Sequence, residues 1–455
     1  MKNILLITVD CLRYDHSRVI IDKINEVLGE GIEFENAYAT GNFTGSSFPG
    51  ILCSKFIDMP GEDMCYKLVP SINNEIVAQD QCFSIKNSRK RVYITEIIKN
   101  GYKSYAMTNN PYVETPEYMN TIDEIKSKYS KKKTINNRMD GIIKKISFKF
   151  PILYHMLRKE IRPFYRFIKD IFISKNINTP FLDAEKNSYI IKEIIDGSDQ
   201  KKFIHAHYMD LHFPYYKNEY LELEIGESNI LLVNSMYGDK QLKVDEKKEI
   251  IYKKAYKIQT EYVAEQVSKS LNEIKDKLDN SLIILTADHG ELLGENNGGR
   301  GHGRMRNKKE LELTLCEELL HVPLVIWGLG KGKVNKVVSL VDLSPTILDI
   351  IGMEKPSEWY GETLFSKTER PAISELRSNL GNFYTIRTQK WTLRYNEKEN
   401  KKQLYTRGKE DKDLSNEKPE VVKEMMKLFE EHKKKKERQW KEMLKKEINE
   451  IKNKK

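Results

Sequence analysis

The chain has 455 residues, of which 39% are hydrophobic and 32% are charged. This composition indicates a globular protein rather than a disordered one. No run of about 18 apolar residues occurs, so no membrane span is predicted. The formal net charge of +10 is only a weak sign of an anionic partner, because the lysines crowd into two segments whose solvated helix faces explain most of them.

Cysteine content and the start of the chain bear on its compartment. Five cysteines without a Cys-x-x-Cys pair do not indicate a disulfide framework and favour a reducing environment. The first apolar run, residues 4–9, is too short for a signal peptide. We therefore expect a cytoplasmic protein, with contact to a membrane surface as an open alternative.

The first predicted element is a buried strand over residues 4–9 that ends in Asp10. In open α/β sheets, ligands bind at the carboxyl ends of the strands, so Asp10 is a candidate ligand for a cation. The alternative is an ordinary turn or helix-capping residue. Arg13 can balance an anionic substrate or pair with Asp15, and of these two roles we favour the pairing.

A hydroxyl-rich segment follows a predicted helix at 21–28 and a predicted strand at 32–38. Residues 40–52 contain small and hydroxyl side chains and lead into a helix that we expect to begin near Ser47. A helix N-terminus offers free amide groups and the positive end of a dipole, which suit an anion. A hydroxyl there can act as a nucleophile, or the cluster can serve only to cap the helix.

The middle of the chain continues the alternation of helix and strand. A helix at 94–99 and a strand at 101–108 predict a parallel sheet. From 112 to 200 the pattern loosens, and residues 142–175 are rich in Lys, Arg, Phe and Ile. Their latter part, 153–173, is a basic amphipathic stretch, either a lid on the main domain or a surface for a membrane or an acidic partner.

Histidines are concentrated at and beyond a predicted strand over 203–210. In an alternating strand, His205 and His207 share one face, where both are explained as core histidines. His212 lies in the loop beyond the carboxyl end. It is therefore the better candidate for a ligand or a substrate contact.

A helix over 248–277 leads into an apolar strand that ends in Asp288 and His289. A carboxylate and an imidazole both suit divalent cations, although a turn with a capping Asp is the simpler alternative. If the two strands are neighbours, Asp10 and Asp288 can reach one cation. His302 follows in a glycine-rich segment, where it can hold an anion or be incidental.

The rest of the chain changes character after about residue 366. Before it, 322–328 predicts a strand and 341–348 the start of a helix with Pro in its first turn. Beyond it, short antiparallel strands at 384–387 and 390–395 predict a small subdomain. Residues 420–455 are rich in Lys and Glu with scattered Leu and Met, so we expect a helix that is exposed or that pairs with another helix in a homo-oligomer.

These parts, in this order, resemble the sulfatases of the alkaline phosphatase superfamily. The likeness is strongest at five motifs: residues 9–13, 36–52, 207–215, 286–291 with 301–303, and 341–346. It implies an α/β fold with a mostly parallel central sheet flanked by helices. The implied catalytic domain covers 1–365 with an insertion at about 113–200. A small α+β subdomain at 366–415 and a charged helical tail at 416–455 follow.

The resemblance also implies a site. One divalent cation (Ca, Mn, Zn or Mg) is expected, with Thr44 bridging it as the nucleophile and the full ligand set being Asp10, Cys11, Thr44, Asp288 and His289. His212 and His302 are implied as catalytic contacts to the substrate oxygens and the leaving group. Arg13 completes the predicted substrate-binding residues.

Two departures from the family pattern concern this site. Cys11 stands where the family has a second Asp ligand, and a thiolate is a softer ligand. The family's C/S-x-P-S-R box, whose first residue is oxidised to formylglycine, corresponds here to residues 44–48. Thr44 cannot become formylglycine, and Phe48 replaces the Arg. An unmodified Thr is similar to the nucleophile of the phosphoryl-transferring branches.

Three hypotheses follow. The first is a metal-dependent hydrolase that cleaves a sulfate or phosphate ester through Thr44. The second is a phosphoethanolamine- or phosphoglycerol-type transferase acting on a glycan or lipid, and the third is a non-catalytic binding protein on the same scaffold. The expected partner is an anionic ester, glycan or lipid linked, and no nucleic acid is expected.

Overall fold

The computed structural model describes most of the predicted catalytic region and nearly all of the C-terminal region. The described residues are 3–56, 66–70, 76–80, 91–108, 110, 113, 116–125, 184–212, 215, 246–295, 300–301, 315–378 and 381–453. The basic stretch at 142–175 and the predicted site residue His302 lie outside them. No described helix is long and apolar enough to cross a membrane.

The described elements form one large sheet, one smaller sheet, two hairpin-like pairs and the helices around them. The strands are β1 (Ile4–Val9), β2 (Ile32–Tyr38), β3 (Tyr66–Pro70), β4 (Ile76–Asp80), β5 (Lys103–Met107), β6 (Glu124–Ile125), β7 (Lys202–Tyr208), β8 (Leu282–Thr286), β9 (Leu292–Leu293), β10 (Arg300–Gly301), β11 (His321–Val322), β12 (Leu324–Trp327), β13 (Gly332–Ser339), β14 (Ala372–Ser378), β15 (Gly381–Arg387), β16 (Trp391–Asn396) and β17 (Lys401–Thr406). The helices are α1 (Arg18–Leu28), α2 (Thr44–Cys53), α3 (Ile94–Ile98), α4 (Pro116–Met119), α5 (Ala184–Asp196), α6 (Glu246–Glu273), α7 (Glu317–Leu320), α8 (Leu343–Ile350) and α9 (Pro419–Asn453).

The central sheet has the strand order β11-β2-β12-β8-β1-β7-β5-β6, and β13 pairs with β2. Strand β1 is parallel to both β7 and β8, whereas β12 is antiparallel to β8 and to β2. Every residue of β1, β7 and β8 is buried. Strands that are buried on both faces do not need to alternate between apolar residues and exposed polar residues. The predicted mostly parallel sheet flanked by helices is confirmed.

The order of these strands decides where the site lies. Thr8 of β1 is in register with His207 of β7 and with Thr286 of β8. The carboxyl ends of the three parallel strands therefore meet at one edge of the sheet. Side chains that come just after each strand are brought together there.

Helix α2 begins earlier than the sequence pattern predicts. We expected its start near Ser47, but the helix begins at Thr44. Ser46 explains the difference, because its Oγ accepts a hydrogen bond from the Phe43 amide at 3.3 Å. The amides of Ser46 and Ser47 in turn donate to the Phe43 carbonyl at 3.0 and 3.1 Å. Thr44 is thus the first residue of the helix.

The small C-terminal sheet, β14-β15-β16-β17, is antiparallel throughout, and α9 lies against it. The prediction that this helix is exposed or pairs with another helix is wrong for its first half. Met425 and Phe429 are buried against apolar residues of the sheet, which include Ile386, Leu393 and Leu404. Few apolar residues suffice here because they recur at a spacing of four and form one stripe. The predicted division at residue 416 therefore falls between two elements that share one core.

A buried ionic cluster continues this stripe. Lys436 Nζ lies 2.9 and 2.7 Å from the two carboxylate oxygens of Glu375, and His432 Nε2 lies 2.6 Å from one of them. Burial opposes ionisation of Glu375, but Lys436 and His432 outweigh it and hold its pKa well below the ordinary value. The Glu375 amide donates to the Thr40 carbonyl at 2.9 Å. The cluster thus joins α9 to the segment that leads into α2.

Replacing Phe429 by Ala tests the packing of α9. The ring is 1% exposed and contacts Tyr384 and Tyr395 at centroid distances of 4.7 and 5.1 Å. We expect Phe429→Ala to lower the free energy of unfolding by about 3–5 kcal/mol. Urea denaturation measures this change. The matched control is Lys427→Ala on the exposed side of the same helix, expected to stay within about 0.5 kcal/mol of the parent, and equal effects of both substitutions would contradict the packing.

Candidate metal centre

Asp10 and Asp288 lie side by side at the carboxyl edge of the central sheet. Each follows one of two neighbouring parallel strands, and both carboxylates are fully buried. The Cys11 amide donates to Asp288 Oδ1 at 3.4 Å, so the turn after β1 touches the turn after β8. The predicted meeting of these two strand ends is therefore present in the fold.

His289 presents a lone pair to the two carboxylates. Its Nδ1 lies 2.7 Å from the Gly290 carbonyl oxygen. Because a carbonyl only accepts, we assign the ring proton to Nδ1, which leaves Nε2 unprotonated in the neutral ring. Nε2 lies 3.4 Å from Asp288 Oδ2 and 3.7 Å from Asp10 Oδ1. This is the usual orientation of a metal-binding imidazole.

Thr44 brings a hydroxyl to the same point. Its Oγ1 is 3.3 Å from Asp10 Oδ2 and 3.4 Å from His289 Nε2. As the first residue of α2, Thr44 also stands where the free amide groups of the helix and the positive end of its dipole face the site. An anionic group bound beside Thr44 is stabilised by both.

Asn110 is a site residue that the sequence pattern did not single out. Its Nδ2 donates to Asp10 Oδ2 at 3.0 Å and to Thr44 Oγ1 at 3.3 Å. The available signal was its position, because it comes shortly after β5, whose carboxyl end faces the same edge of the sheet. A polar residue after each parallel strand is the pattern to search for.

His207 was explained from the sequence as a core histidine, and it is indeed buried with His205. The structure adds that His207 Nε2 lies 3.3 Å from Asp10 Oδ2. Phe48, which replaces the Arg of the family's box, packs edge-on against the His207 ring at a centroid distance of 5.0 Å. An apolar ring thus occupies the place of a cation.

The carboxylates and the imidazole perturb one another. Burial opposes ionisation of Asp10, but His207, His212 and His289 outweigh it and hold the pKa of Asp10 well below its ordinary value. Burial and the negative charge of Asp10 raise the pKa of Asp288. Burial disfavours protonated His289, but Asp288 and Asp10 outweigh it and raise the pKa of this imidazole. The site therefore holds protons that a cation would displace.

Cys11 touches the site in an uncommon backbone conformation. Its φ of +64° lies in the left-handed region, which non-glycine residues adopt at some energetic cost. The thiol donates to Asp10 Oδ1 at 2.9 Å. Burial raises the pKa of this thiol well above its ordinary value, and the charges of Asp10, Glu291 and Asp288 add to the effect. The role of Cys11 as a metal ligand stays a prediction.

Arg13 and His212 have different surroundings. The Arg13 guanidinium lies 2.7 Å from Asp15 Oδ2 and 2.5 Å from Glu295 Oε1, so the predicted pairing with Asp15 is present. Contact of Arg13 with a substrate stays a prediction. His212 follows β7, is partly buried, and is near enough to Asp10 to lower the pKa of that carboxyl.

The donors present fit a divalent cation. Two overlapping groups of three residues could hold an ion, Asp10–Cys11–His289 and Asp10–His207–Asp288. Within each group, the ligand atoms lie within 4.8 Å of one another. Asp288 Oδ2 is fully buried and finds no hydrogen-bond donor within the described part of the chain. Carboxylate oxygens and imidazole nitrogen suit Mg, Mn, Ca and Zn. A cation would also offset the repulsion between the two carboxylates.

Comparisons with known proteins agree with this geometry. The family model described as Sulfatase matches residues 2–353. The low-salt glycan biosynthesis sulfotransferase Agl7 of Haloferax volcanii is 42% identical over 100 residues, which are 20% of this chain and 23% of that relative. The chain thus matches less than a quarter of that curated relative's length.

Solved structures resemble the chain over nearly its whole length. The phosphonate monoester hydrolase SpPMH from Silicibacter pomeroyi has a TM-score of 0.63 at 17% identity and covers 96% of both chains. The lipoteichoic acid synthase LtaP from Listeria monocytogenes has a TM-score of 0.57 at 12% identity and covers 97% of this chain and 92% of its own. At these identities the likeness shows the fold alone.

Cation binding should depend on pH in a defined direction. Because the pKa values of Asp288 and His289 are raised, both groups hold protons that Mn²⁺ must displace, whereas Asp10 stays ionised. We expect the Mn²⁺ affinity to fall as the pH decreases, beginning above about pH 6.5, the ordinary pKa of His.

Calorimetry in buffers of different ionisation enthalpy measures the affinity and the protons released together. The matched control is Asp288→Asn, in which binding should be weaker and less dependent on pH. An affinity that does not change with pH, without proton release, would exclude these residues as the ligands.

Proposed function

Because the chain belongs to the sulfatase family of the alkaline phosphatase superfamily, we propose that it is a metal-dependent hydrolase that cleaves a phosphate ester through Thr44. The family contains hydrolases and transferases of sulfate, phosphonate and phosphate groups, and its members bind a divalent metal. The observation that carries the proposal is the unmodified Thr44 hydroxyl, 3.3 Å from Asp10 Oδ2 and 3.4 Å from His289 Nε2.

Asp10, Thr44, Asp288 and His289 would hold the cation, which when bound lowers the pKa of the hydroxyl and offsets charge on the phosphoryl oxygens. Asn110 donates to Thr44 Oγ1, so the hydroxyl proton is directed toward Asp10. The hydroxyl is thereby oriented with its proton on an acceptor and a lone pair available for attack. The amides of Thr44 and Gly45, the first two residues of α2, are the donors for the phosphoryl oxygens.

The reaction has two steps. In the first, a bond forms between Thr44 Oγ1 and phosphorus, the bond from phosphorus to the ester oxygen breaks, and the leaving alcohol takes a proton. In the second, water attacks phosphorus, the bond to Thr44 Oγ1 breaks, and the hydroxyl regains a proton. His212 and His302 are the predicted proton donors, because an imidazole exchanges protons near neutral pH.

Phosphate is favoured over sulfate by the chemistry of the nucleophile. A hydrated formylglycine carries two hydroxyl groups on one carbon, so the second hydroxyl can expel a bound sulfate. Thr44 has a single hydroxyl, and its ester must be hydrolysed at phosphorus or sulfur itself. Phe48 in place of an Arg removes one cation from the site. This favours a singly charged phosphodiester over a doubly charged monoester.

The basic segment at 142–175 favours a second candidate, in which an alcohol of a glycan or lipid replaces water in the second step. Glycerol added to the assay distinguishes the two acceptors. Acting on a phosphodiester, a transferase produces a phosphodiester of glycerol at the expense of the phosphate monoester that hydrolysis releases.

Substitution of Thr44 tests the proposed nucleophile. We expect Thr44→Ala to lower kcat for a p-nitrophenyl phosphodiester on the order of 10³-fold or more, because no covalent step remains. Thr44→Ser keeps the hydroxyl and should retain measurable turnover. Mass spectrometry after an acid quench should find a phosphoryl group on residue 44 of the parent.

The matched control is Ser47→Ala, one turn along α2, whose hydroxyl has no hydrogen-bond partner among the described residues. It should keep the parental rate. Undiminished turnover in Thr44→Ala would remove Thr44 as the nucleophile, and faster cleavage of an aryl sulfate than of any phosphate ester would overturn the assignment to phosphate.

A further inference from the structure

The His207 ring presents a buried nitrogen to the candidate metal centre. The residue is 0% exposed, and its Nε2 has no hydrogen-bond partner among the described residues. Asp10 Oδ2 is 3.3 Å away, but the contact lacks the direction of an N–H···O bond. A buried lone pair facing a carboxylate is unfavourable unless a cation lies between them.

The other ring nitrogen is anchored by a chain of buried hydrogen bonds. His207 Nδ1 lies 2.9 Å from Thr8 Oγ1, and Thr8 Oγ1 lies 3.1 Å from His205 Nε2. His205 Nδ1 lies 3.0 Å from the Tyr118 hydroxyl. If His207 Nδ1 donates to Thr8 Oγ1, the Thr8 hydroxyl can donate to His205 Nε2, and His205 Nδ1 can donate to the Tyr118 hydroxyl. Each hydrogen bond then has one donor and one acceptor. Every member of the chain then agrees with an unprotonated Nε2 on His207.

Neighbouring side chains hold the ring in this orientation. Thr8 and His207 face each other across the paired strands β1 and β7. Phe48 packs edge-on against the ring at an interplanar angle of 89°. A metal-binding histidine typically has this kind of support, with its second nitrogen bonded to a fixed acceptor.

The spacing of the donor atoms matches coordination of one ion. Ligand atoms bonded to a metal at about 2.0–2.1 Å lie about 3.4 Å apart in a tetrahedral arrangement. His207 Nε2 and Thr44 Oγ1 each lie 3.3 Å from Asp10 Oδ2, and His289 Nε2 lies 3.4 Å from Asp288 Oδ2. The His207 contact is thus as short as those of the predicted ligands.

We infer that His207 is a further ligand of the divalent cation and binds it through Nε2. This inference rests on the proposed metal-dependent function. It adds a second imidazole, on a third strand of the sheet, to the ligands that the family pattern implies.

Proton NMR of the full chain loaded with Co²⁺ tests the inference. In water, each histidine bound to Co²⁺ through Nε2 gives one strongly shifted, exchangeable signal from its Nδ1–H. We expect two such signals in the parent, from His289 and His207. His207→Gln should lose one signal and bind Co²⁺ roughly tenfold or more weakly in a calorimetric titration. His321→Gln, a control at a histidine of the edge strand β11, should keep both.

A single shifted signal in the parent would overturn the inference, and this result needs no variant to fold. It would leave His207 as a buried neighbour of Asp10 that does not bind the ion. A folded His207→Gln protein that keeps both signals would overturn the inference as well. Absence of Co²⁺ binding by the parent would overturn both the metal site and the proposed function, so the two failures are distinguishable.

Discussion

The structure depends on two carboxylates that are buried against each other. Asp10 and Asp288 are fully buried at the ends of neighbouring parallel strands, where solvent cannot screen their repulsion. The opposite shifts of their pKa values express this conflict, since one carboxylate stays ionised and the other tends to keep its proton. Such an arrangement is costly in an apoprotein and favourable around a divalent cation. The pair is therefore a candidate cation site.

The groups around the carboxylates are held by partners outside the site. The Gly290 carbonyl orients His289, Thr8 orients His207, and Ser46 sets the start of the helix that carries Thr44. None of these three partners needs to touch a substrate. They determine which atom of His289, His207 and Thr44 faces the two carboxylates. With these atoms oriented in advance, the side chains can contact one bound group together.

The same physical logic recurs at the junction with the C-terminal helix. Glu375 is fully buried, and Lys436 and His432 offset its charge there. Because the Glu375 amide also donates to the Thr40 carbonyl, the cluster is joined to the segment just before the start of α2. A helix with few apolar residues is thus fixed to the body of the protein by one apolar stripe and one ionic cluster.

The sequence by itself determined where the strands end and which polar residues follow them. Apolar runs that stop at Asp10 and at Asp288 are local patterns, and parallel strands place their carboxyl ends at one edge, so this half of the centre could be predicted. The tertiary structure alone decided the rest. Asn110, the Nε2 of His207 and the Glu295 partner of Arg13 reach the site or its rim only through the strand order and loop paths of the fold. No local pattern encodes which strands are neighbours, because that order depends on the packing of the whole sheet. The exposure of helix α9 was predicted wrongly for the same reason, because the sheet that covers its apolar stripe is formed by other segments of the chain.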